Sequence, residues 1–514
     1  MKNSKLHSLF GIVMLSMIVA CSTNEQKEPG TAQVASNTQN APVSLDSATL
    51  HGDEKINTPY GLLELQHTYL TDESSQKLYD AMDLQRASQA YIWSTPLVSF
   101  GTFRKEQDKN YGPNARGTFA VFDSFNEKLG IVTANLTTPY VLAFDNLSSG
   151  ALYVDYPAGV TAGAFLDFWQ RPIADLGLTG PDQGKGGRYI IVGPGENPKK
   201  YEKAGVYVFQ SATNNIFWGF RILDPDPAFK ERFRTALKIS SVNGKPVALK
   251  FIEGLDKPWS ATAYRGIDYW KTLHEIINEE PVREQDKVWI AMLEPLGIIK
   301  GKPFSPDARQ TKILNEGAAL GELMTRNLQI NKRHTEPYWP GTHWFNSIDF
   351  TIPQITDTKV ELDERAIWFY EAVTTSEGMV NPSVGKGQVY MTTKRDSKGN
   401  LLRADKTYRL RVPAEVPTAQ FWSLTLYSEN TRRPYENGQT TVRSVSLDSK
   451  LKDLKRNADG SVDLFIGVKA PAGFESNYMK TVSTDGWFVY FRLYAPLQPF
   501  FDKTFKLPDF EVVE

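Results

Sequence analysis

The chain has 514 residues, a length that normally divides into two or more domains and buries about three quarters of the unfolded chain's surface. It carries 58 basic and 59 acidic side chains, and this balance argues against a nucleic-acid partner, because phosphate binding requires a clear basic excess. The single cysteine excludes disulfide bonds within the chain, so burial of the core must hold the fold together.

The first twenty residues have the pattern of a signal peptide. Lys2 and Lys5 give a positive start, and an apolar run follows from Leu9 to Ala20. This run has twelve residues, whereas a helix that crosses a bilayer needs about twenty. The sequence therefore predicts that residues 1–20 are removed on export. Their loss leaves 56 basic against 59 acidic side chains, a net charge of −3.

The predicted cleavage site is followed by the only cysteine. Ile18, Val19 and Ala20 precede Cys21 in a small-residue pattern that resembles the lipobox of bacterial lipoproteins. Acyl chains such as palmitate on Cys21 would anchor the protein in the membrane. With Ser22 rather than Asp next in the chain, the sequence predicts a lipid-anchored protein of the cell envelope, at the outer membrane and facing the periplasm or the exterior. The alternative is a secretory peptide followed by a chance cysteine.

The next two segments have contrasting patterns. Residues 22–58 are rich in Ser, Thr, Asn, Gln, Pro and Ala and contain no aromatic residue, so the range 21–58 is predicted to form a lipidated, flexible tether. From residue 73 to 104, apolar residues recur at helical spacing. This periodicity predicts one long helix that ends before Pro96.

Short runs of β-branched and aromatic residues follow, separated by turn residues at intervals of about ten. This spacing predicts an antiparallel sandwich or jelly roll rather than a βαβ repeat. The predicted strands of this first unit are 117–122, 130–133, 140–144, 151–156, 163–168, 189–192, 206–210 and 216–223.

Helical periodicity then replaces the strand pattern, and the strand pattern returns after Gly385. The predicted helices are 264–278, 283–296, 305–329 and 361–378, and the later strands are 388–393, 407–412, 420–427, 462–465 and 487–493. The sequence thus predicts a multidomain α+β chain. Two antiparallel, jelly-roll-like β-sandwich units, at 59–255 and 381–514, flank a helical section at 256–380.

Several stretches resemble a known pair of domains of unknown function, numbered 1254 and 1214. The stretches are DLGLTGPDQGKGG (175–187), Thr213, Asn214, Arg221, LGIIKGKPFSPD (296–307), FWSLTLYSENTR (421–432), NADGSVD (457–463) and RLYAP (492–496). The resemblance covers nearly the whole chain after the tether. It implies two β-sandwich units with a helical portion, but no chemistry, because none is assigned to the family.

Two positions depart from the family's usual pattern. Where members usually have Asn, Asn, Asp, Thr, Leu, Tyr, this chain has Asn, Leu, Thr, Thr, Pro, Tyr at 135–140, so a carboxylate is missing at Thr137. Where an Asn-Trp pair is usual, this chain has Asn477 and Tyr478. Any activity that requires the missing acid is therefore in doubt for this chain.

The glycine-rich stretch 180–187 has two interpretations. Successive backbone amides beside Lys185 could bind an anion. It is not a P-loop, because it lacks the Ser or Thr that would reach magnesium. The alternative is a tight connection between strands in which Asp182 bonds its own turn.

The patterns that could bind a metal are incomplete. His274 begins like a zinc-peptidase motif, but Asn278 stands where the second histidine is needed. His334 and His343 could meet in a loop, although packed or surface histidines are the simpler interpretation. The segment 457–463 has the oxygen ligands of a calcium loop but also the Asp-Gly of a hairpin turn. The sequence predicts no metal site and no cofactor.

Aromatic and amide side chains near basic ones are the most suggestive feature. Trp422, Tyr427 and Arg432 lie in one segment, and Asn135 and Tyr140 lie in another. Flat aromatic faces beside bidentate donors suit a small polar ligand, a carbohydrate or a small carboxylate. The alternative is a tryptophan in a sandwich core with arginines at its rim.

Three functional hypotheses follow. An envelope enzyme, such as a hydrolase or lyase, would gather Asp182, Lys185, Arg221, Tyr427 and Arg432 around one pocket between the β units. A noncatalytic binding lipoprotein would have an aromatic groove with no carboxylate or histidine in reach of the ligand. An architectural protein would show a broad apolar patch and no concave site.

Overall fold

The computed structural model describes most of the chain after the predicted tether begins. The described residues are 41–253, 258–333, 335–482 and 484–513. The predicted leader, Cys21, residues 22–40 of the predicted tether and His334 lie outside them. Within the described ranges, no helix combines the length and the apolar character needed to cross a bilayer.

The chain divides into two compact units, one that ends at Lys77 and one that begins at Leu78. The first unit contains β1 (Val43–Ser44), β2 (Glu54–Thr58), β3 (Gly61–Gln66) and β4 (Tyr69–Leu70). These strands form one sheet in the order β1-β2-β3-β4. The prediction of a flexible tether up to residue 58 is therefore wrong for its last part. Ile56 of β2 and Leu63 and Leu65 of β3 are buried, and this small core orders a segment whose composition is polar.

Helix α1 (Asp72–Tyr111) continues through Pro96, where the sequence predicted its end. Proline removes one helical hydrogen bond and usually breaks a helix. Here the residues on both sides are buried, including Trp93 and Phe100, and Gln170 Nε2 donates to Pro96 O at 2.7 Å. Tertiary packing thus stabilises a helix that local propensity alone would end.

The first β-sandwich follows α1 and is formed by two sheets. Its elements are β5 (Thr118–Phe122), α2 (Phe125–Lys128), β6 (Tyr140–Asn146), β7 (Leu152–Tyr156), β8 (Thr161–Asp167), β9 (Pro172–Gly177), β10 (Gly187–Val192), β11 (Val206–Gln210), β12 (Asn215–Ile222), α3 (Pro227–Ala236), β13 (Lys238–Ser240), β14 (Pro246–Val247) and β15 (Lys250–Ile252). The strand orders are β11-β10-β7-β13-β14 and β15-β5-β6-β12-β8-β9. Leu152 and Tyr189 of the first sheet and Phe165 and Trp218 of the second share one buried core.

Most of these strands pair antiparallel, whereas β10 with β11 and β15 with β5 are parallel. One predicted strand is absent: residues 130–133 form no strand. Thr133 has a φ of 44°, and its N–H donates to Arg432 O at 2.7 Å. A bond to a distant segment thus replaces the sheet pairing that the local β-branched residues favour.

The helical section follows the first sandwich. Its elements are α4 (Ile267–Glu279), α5 (Lys287–Leu293), α6 (Ala308–Ile330), β16 (Phe345–Asn346), α7 (Leu362–Glu371) and α8 (Glu377–Val380). The prediction of one helix over 361–378 is wrong, because α7 ends at Glu371 and a non-helical segment precedes α8. Within that segment Thr374 has a φ of 68°, which is outside the helical region.

The second β-sandwich ends the chain and again consists of two sheets. Its elements are β17 (Gln388–Thr393), β18 (Thr407–Val412), β19 (Thr418–Ser428), β20 (Ser446–Asp448), β21 (Val462–Gly467), β22 (Tyr478–Lys480), β23 (Trp487–Pro496), α9 (Gln498–Phe501) and β24 (Glu511–Val513). The orders are β16-β17-β23-β19-β20 and β22-β21-β18-β24. Leu424 and Phe491 of one sheet and Leu410 and Leu464 of the other lie in one core. The predicted α+β fold class with two β-sandwich units is confirmed.

Each sandwich turns one outer sheet face toward the helices. On the six-stranded sheet, Phe144 packs edge-on against Phe100 of α1 at 5.7 Å between ring centroids. On the sheet that contains β23, Tyr490 stacks on Trp368 of α7 at 6.1 Å. Both β domains therefore pack a sheet face against the helices.

Candidate ligand-binding site

A cavity of about 130 Å³ lies between the two sandwiches. Its floor is the outer face of the six-stranded sheet, and its other walls come from residues 131–135, residues 372–376 and strands β17 and β23. No Asp or Glu side chain is among the lining residues. The cavity is therefore formed by both β domains and the helical section, and its lining carries no negative charge.

The floor changes in character along β12. Arg221, Gly219 and Phe217 all line the cavity, because alternate residues of a strand point to the same face. Across the sheet, Arg221 pairs with Ala162, Gly219 with Ala164 and Leu142, and Phe217 with Leu166 and Phe144. The floor thus has a charged row, a row of small residues and an aromatic row, and successive rows are roughly 7 Å apart.

Arg221 supplies the charge of the first row. Its Nη1 donates a long hydrogen bond, 3.4 Å, to Thr138 Oγ1, and it forms no ion pair with a described residue. Tyr140 lies beside it. Phe220 pairs with Val141 in the neighbouring antiparallel strand, so Arg221 and Tyr140 come next along the two strands. The first domain therefore contributes an arginine and a tyrosine to one end of the cavity.

Arg492 of β23 is the corresponding group from the second domain. It is 2% exposed, and its strand partner is Tyr390. Its Nη2 donates to Thr133 O at 3.0 Å, while Nε and Nη1 have no hydrogen-bond partner among the described residues. The rings of Tyr390, Tyr427 and Tyr490 have centroids 5.2, 5.5 and 5.1 Å from its guanidinium carbon.

The tyrosines around these arginines are neutral at physiological pH. Burial raises the pKa of Tyr140, Tyr390 and Tyr427 above the ordinary value for a phenol. Their hydroxyls are held within the protein: Tyr140 Oη accepts from Asn135 N at 2.7 Å, and Tyr427 Oη donates to Ala134 O at 2.7 Å. No phenolate therefore neutralises the two guanidinium groups.

Two carboxyl groups behind the cavity wall are engaged elsewhere. Asp175 accepts from the backbone N–H groups of Glu377 and Gly378 at 2.9 and 3.1 Å, and burial raises its pKa to about 6. Glu371 accepts from the Tyr490 hydroxyl and lies 3.5 Å from Lys394 Nζ. Neither carboxyl group pairs with a cavity arginine.

The structure brings three of the predicted ligand-binding residues together. Asn135, Tyr140 and Arg221 line the cavity. The Asn135 amide shapes the loop before β6, because its Oδ1 accepts from Thr137 N at 2.9 Å and its Nδ2 donates to Thr138 Oγ1 at 3.2 Å. Tyr427 lies directly behind this loop through its bond to Ala134.

Asp182 and Lys185 do not reach the cavity. Asp182 is buried, and its carboxylate accepts from Gly177 N at 2.9 Å, from Gly186 N at 3.2 Å and from the Tyr189 hydroxyl at 2.6 Å. Lys185 is exposed on the same connection. The geometry matches the turn interpretation of the glycine-rich stretch rather than the anion cradle.

Trp422 and Arg432 also lie away from the cavity. Trp422 stacks on Phe491 at 5.5 Å inside the core of the second sandwich, as the packing alternative expects. The guanidinium of Arg432 lies 4.2 Å from the centroid of Tyr370, to whose hydroxyl it donates at 3.1 Å. The proposed catalytic cluster is therefore dispersed, with only Arg221 of its five members in the cavity lining.

Two of the three histidines considered as metal ligands, His274 and His343, are engaged by the protein. His274 Nε2 lies 2.8 Å from Lys302 O, and His343 Nδ1 lies 2.9 Å from Asp509 Oδ2. Within the described ranges, no group of three His, Cys, Asp or Glu side chains has the arrangement of a metal site.

Three residues of the cavity lining were not predicted from the sequence: Arg492, Tyr390 and Tyr490. The signal for Arg492 was a single charge within the strand sequence WFVYFRLYAP, all of which is buried. A fully buried charge without a carboxylate partner is rare, because its desolvation is costly. The tyrosines gave no such signal, since an aromatic residue in a strand usually packs in a core.

Two family models match the chain. Protein of unknown function (DUF1254) matches residues 117–239, and Protein of unknown function (DUF1214) matches residues 387–498. The first match covers the strands that supply Tyr140 and Arg221, and the second covers those that supply Tyr390 and Arg492. None of the curated proteins compared with the chain matches it.

One solved structure shares the fold, and a second one is reported for comparison. The crystal structure of the VPA0106 protein from Vibrio parahaemolyticus has a TM-score of 0.50 and 15% identity, over 84% of this chain and 100% of that chain. A protein from Burkholderia cenocepacia has a TM-score of 0.39 and 13% identity, over 86% of this chain and 97% of that chain. Because both family models match, one on each side of the cavity, the chain belongs to the family in which a DUF1254 domain is paired with a DUF1214 domain.

Proposed function

We propose that the chain binds a small organic anion in the cavity between its two β-sandwiches. One observation carries the proposal: Arg221 and Arg492 reach the same cavity, neither has a carboxylate partner among the described residues, and no acid lines the cavity. The two arginines come from different domains, so a bound anion would be held by both.

The energetics support an anionic ligand. Burying a guanidinium group away from water costs several kcal/mol unless a counter-charge and hydrogen bonds compensate. Two buried nitrogen atoms of Arg492 lack a hydrogen-bond partner in the part of the chain that the structure describes. An anion that accepts from them would gain charge-assisted hydrogen bonds, which are about twice as strong as neutral ones.

The lining favours binding over hydrolysis. It contains no Asp, Glu, His, Cys or Lys side chain, so it offers no carboxylate or imidazole to act as a general base. The chain also has Thr137 where family members usually have an acid. The noncatalytic binding hypothesis therefore has more support than the hydrolase or lyase hypothesis.

Isothermal titration calorimetry with sodium benzoate and sodium acetate tests this function. We expect at least one of them to bind with one-to-one stoichiometry, and Arg221→Met to weaken that binding by about 10-fold or more, because a charge-assisted bond contributes about 1.5–3 kcal/mol. The matched control is Arg188→Met, since Arg188 is 54% exposed and pairs with Asp155 outside the cavity. The proposal would be refuted if neither anion binds, or if the two variants lose the same amount of affinity.

We also propose that the protein is anchored in the cell envelope through acyl chains on Cys21. The basic start, the short apolar run and the residues before Cys21 support this placement. Metabolic labelling with palmitate tests it: the natural chain should incorporate label and sediment with membranes, and Cys21→Ser should do neither. Label in both forms, or in neither, would contradict the anchor.

A further inference from the structure

We infer that the bound anion is a monocarboxylate with an apolar body about the size of one six-membered ring. This inference rests on the proposed function and narrows its ligand class. It draws on three features of the chain: an arginine site that the protein itself fills with a carboxylate, the graded floor of the cavity, and the cavity volume.

The internal example is the site around Glu322 of α6. Its carboxylate accepts from Arg265 Nη2 at 2.8 Å, from Arg326 Nη2 at 2.7 Å and from the Tyr370 hydroxyl at 3.1 Å. Two arginines and a tyrosine thus surround one carboxylate, which is the anion whose two oxygens match a guanidinium fork.

The cavity presents the same kinds of donor without the acid. Arg221 and Arg492 carry the positive charge, and Tyr140 and Tyr390 lie beside them. Tyr390 is the strand partner of Arg492, Tyr140 lies in the strand next to Arg221, and all four side chains line the cavity. Each tyrosine is also within electrostatic range of both guanidinium groups, so the four groups lie at one end of the cavity. A carboxylate from a ligand would therefore take the position that Glu322 has in the internal site.

The other end of the cavity is apolar. Phe217 and Leu166 form the far row of the floor, and Phe103 of α1 lines the cavity there, with its ring centroid 6.2 Å from that of Phe217. Between the two ends, Gly219 and Ala164 form the row of small residues, which leaves the open space. A ligand carboxylate at Arg221 thus directs the rest of the molecule over small side chains toward aromatic ones.

The volume limits the body of the ligand. The cavity measures about 130 Å³. An apolar cavity of roughly 150 Å³ accommodates one benzene ring. One ring or an equivalent branched chain therefore fills the space.

The same features disfavour two other classes of ligand. A sugar would bring hydroxyl groups to the Phe217 end, where no side chain of the floor can accept or donate a hydrogen bond, and buried unpaired hydroxyls are costly. A dicarboxylate of similar length would place its second charge among these apolar side chains. The gradient from charge to aromatic surface therefore selects an amphipathic monocarboxylate.

Calorimetry with four probes tests the inference: benzoate, acetate, benzyl alcohol and succinate. We expect benzoate to bind at least about 10-fold more tightly than acetate, because burial of the ring adds apolar contact. We expect it to bind at least about 10-fold more tightly than the uncharged benzyl alcohol, and more tightly than succinate. Acetate or succinate binding as tightly as benzoate would overturn the ring-sized body but leave the proposed function intact. Binding by neither benzoate nor acetate would refute both.

A filling variant provides the second measurement. Ala164→Leu adds bulk to the row of small residues, so it should weaken benzoate at least about 10-fold and change acetate by less than about threefold. Thermal unfolding checks that the variant folds, and Ala164→Val serves if it does not. An equal effect on both probes, or none on benzoate, would overturn the inference.

Discussion

Two arginine-rich sites lie in the larger unit, and they differ in whether the chain supplies the counter-charge. At Glu322, one carboxylate accepts hydrogen bonds from Arg265 and Arg326. Burial alone would raise the pKa of Glu322, but the two arginines outweigh this effect and the pKa falls to about 2. In the cavity, Arg221 and Arg492 have no such carboxylate, and about 130 Å³ of space remains beside them.

The difference shows that a buried charge can have either of two roles: it can stabilise the fold, or it can bind a ligand. Where the acid and the bases are both present, the ion pair with Arg265 links α6 to the segment before α4, and the pair with Arg326 lies within α6. Where the bases stand alone around a space, the protein carries a desolvation cost that a ligand can offset.

The largest effect is expected when the internal carboxylate is neutralised. Glu322→Gln leaves Arg265 and Arg326 without a counter-charge, and we expect the free energy of unfolding at pH 7 to fall by about 3 kcal/mol. This expected loss is at the low end of the range for a broken buried ion pair, because both arginines are partly exposed. Denaturant unfolding measures it, with Glu316→Gln on the exposed face of α6 as the control.

The pH dependence of this effect has a defined sign. The pKa of Glu322 is lower in the folded protein than in the unfolded chain, so its contribution is complete above about pH 4.5 and is lost as the pH falls toward about 2. An effect of Glu322→Gln below 1 kcal/mol at pH 7 would contradict the structural role of the pair.

A slightly smaller effect is expected from a buried acid whose carboxyl group forms no ion pair with a described basic side chain. Glu280 accepts from Asn214 N and Asn215 N at 2.5 and 2.8 Å, and burial raises its pKa to about 7. The folded protein therefore keeps a proton that the unfolded chain releases, and the free energy of unfolding should fall as the pH rises from about 4.5 to 7. The loss should be about 2–3 kcal/mol.

Glu280→Gln isolates this contribution. As the pH rises from 4.5 to 8, the free energy of unfolding of Glu280→Gln should rise by about 2–3 kcal/mol relative to that of the natural chain. Denaturant unfolding across that range measures it, and effects of other titrating groups cancel in the difference. A difference that does not change with pH would show that Glu280 ionises at its ordinary pKa.

The third prediction concerns the cavity arginine itself. Because no described acidic side chain pairs with Arg492, Arg492→Met should change the free energy of unfolding by no more than about 1 kcal/mol, in contrast to Glu322→Gln. Benzoate binding should nevertheless be lost. Denaturant unfolding and calorimetry on the same sample measure both effects. A stability loss of about 3 kcal/mol would mean that Arg492 serves the fold as Glu322 does.

The smallest effect is expected from giving the cavity an acid of its own. Thr138 Oγ1 is the hydrogen-bond partner of Arg221, so Thr138→Asp places a carboxylate within its reach. We expect benzoate affinity to fall about three- to tenfold, equivalent to about 1 kcal/mol. Thr138→Asn is the matched control, since it has the same shape without the charge. Equal affinities in the two variants would argue against electrostatic competition at Arg221.

Local patterns accounted for much of the fold. Alternation predicted β17, β18 and β19 closely, and periodicity predicted α6. Local rules were wrong where distant residues decide the conformation. Helix α1 passes Pro96 because its flanks are buried, and the helix expected over 361–378 stops at Glu371 so that residues 372–376 can line the cavity.

The candidate site was predicted only in part. Asn135, Tyr140 and Arg221 were chosen because amide, aromatic and basic groups suit a polar ligand, and all three line the cavity. Asp182 and Trp422 have the same chemical character but are used in a turn and in a core. Side-chain chemistry cannot separate these cases, because a hydrogen-bonding group serves a ligand or the fold according to what surrounds it.

The sequence by itself determined the two sandwiches, the helical section between them and the family, because strand alternation, helical periodicity and ordered motifs are properties of neighbouring residues. Only the tertiary structure decided that Arg221 of one domain and Arg492 of the other share a cavity without an acid. Their meeting depends on the packing of two sheets against the helices, a long-range arrangement for which the chain carries no local pattern.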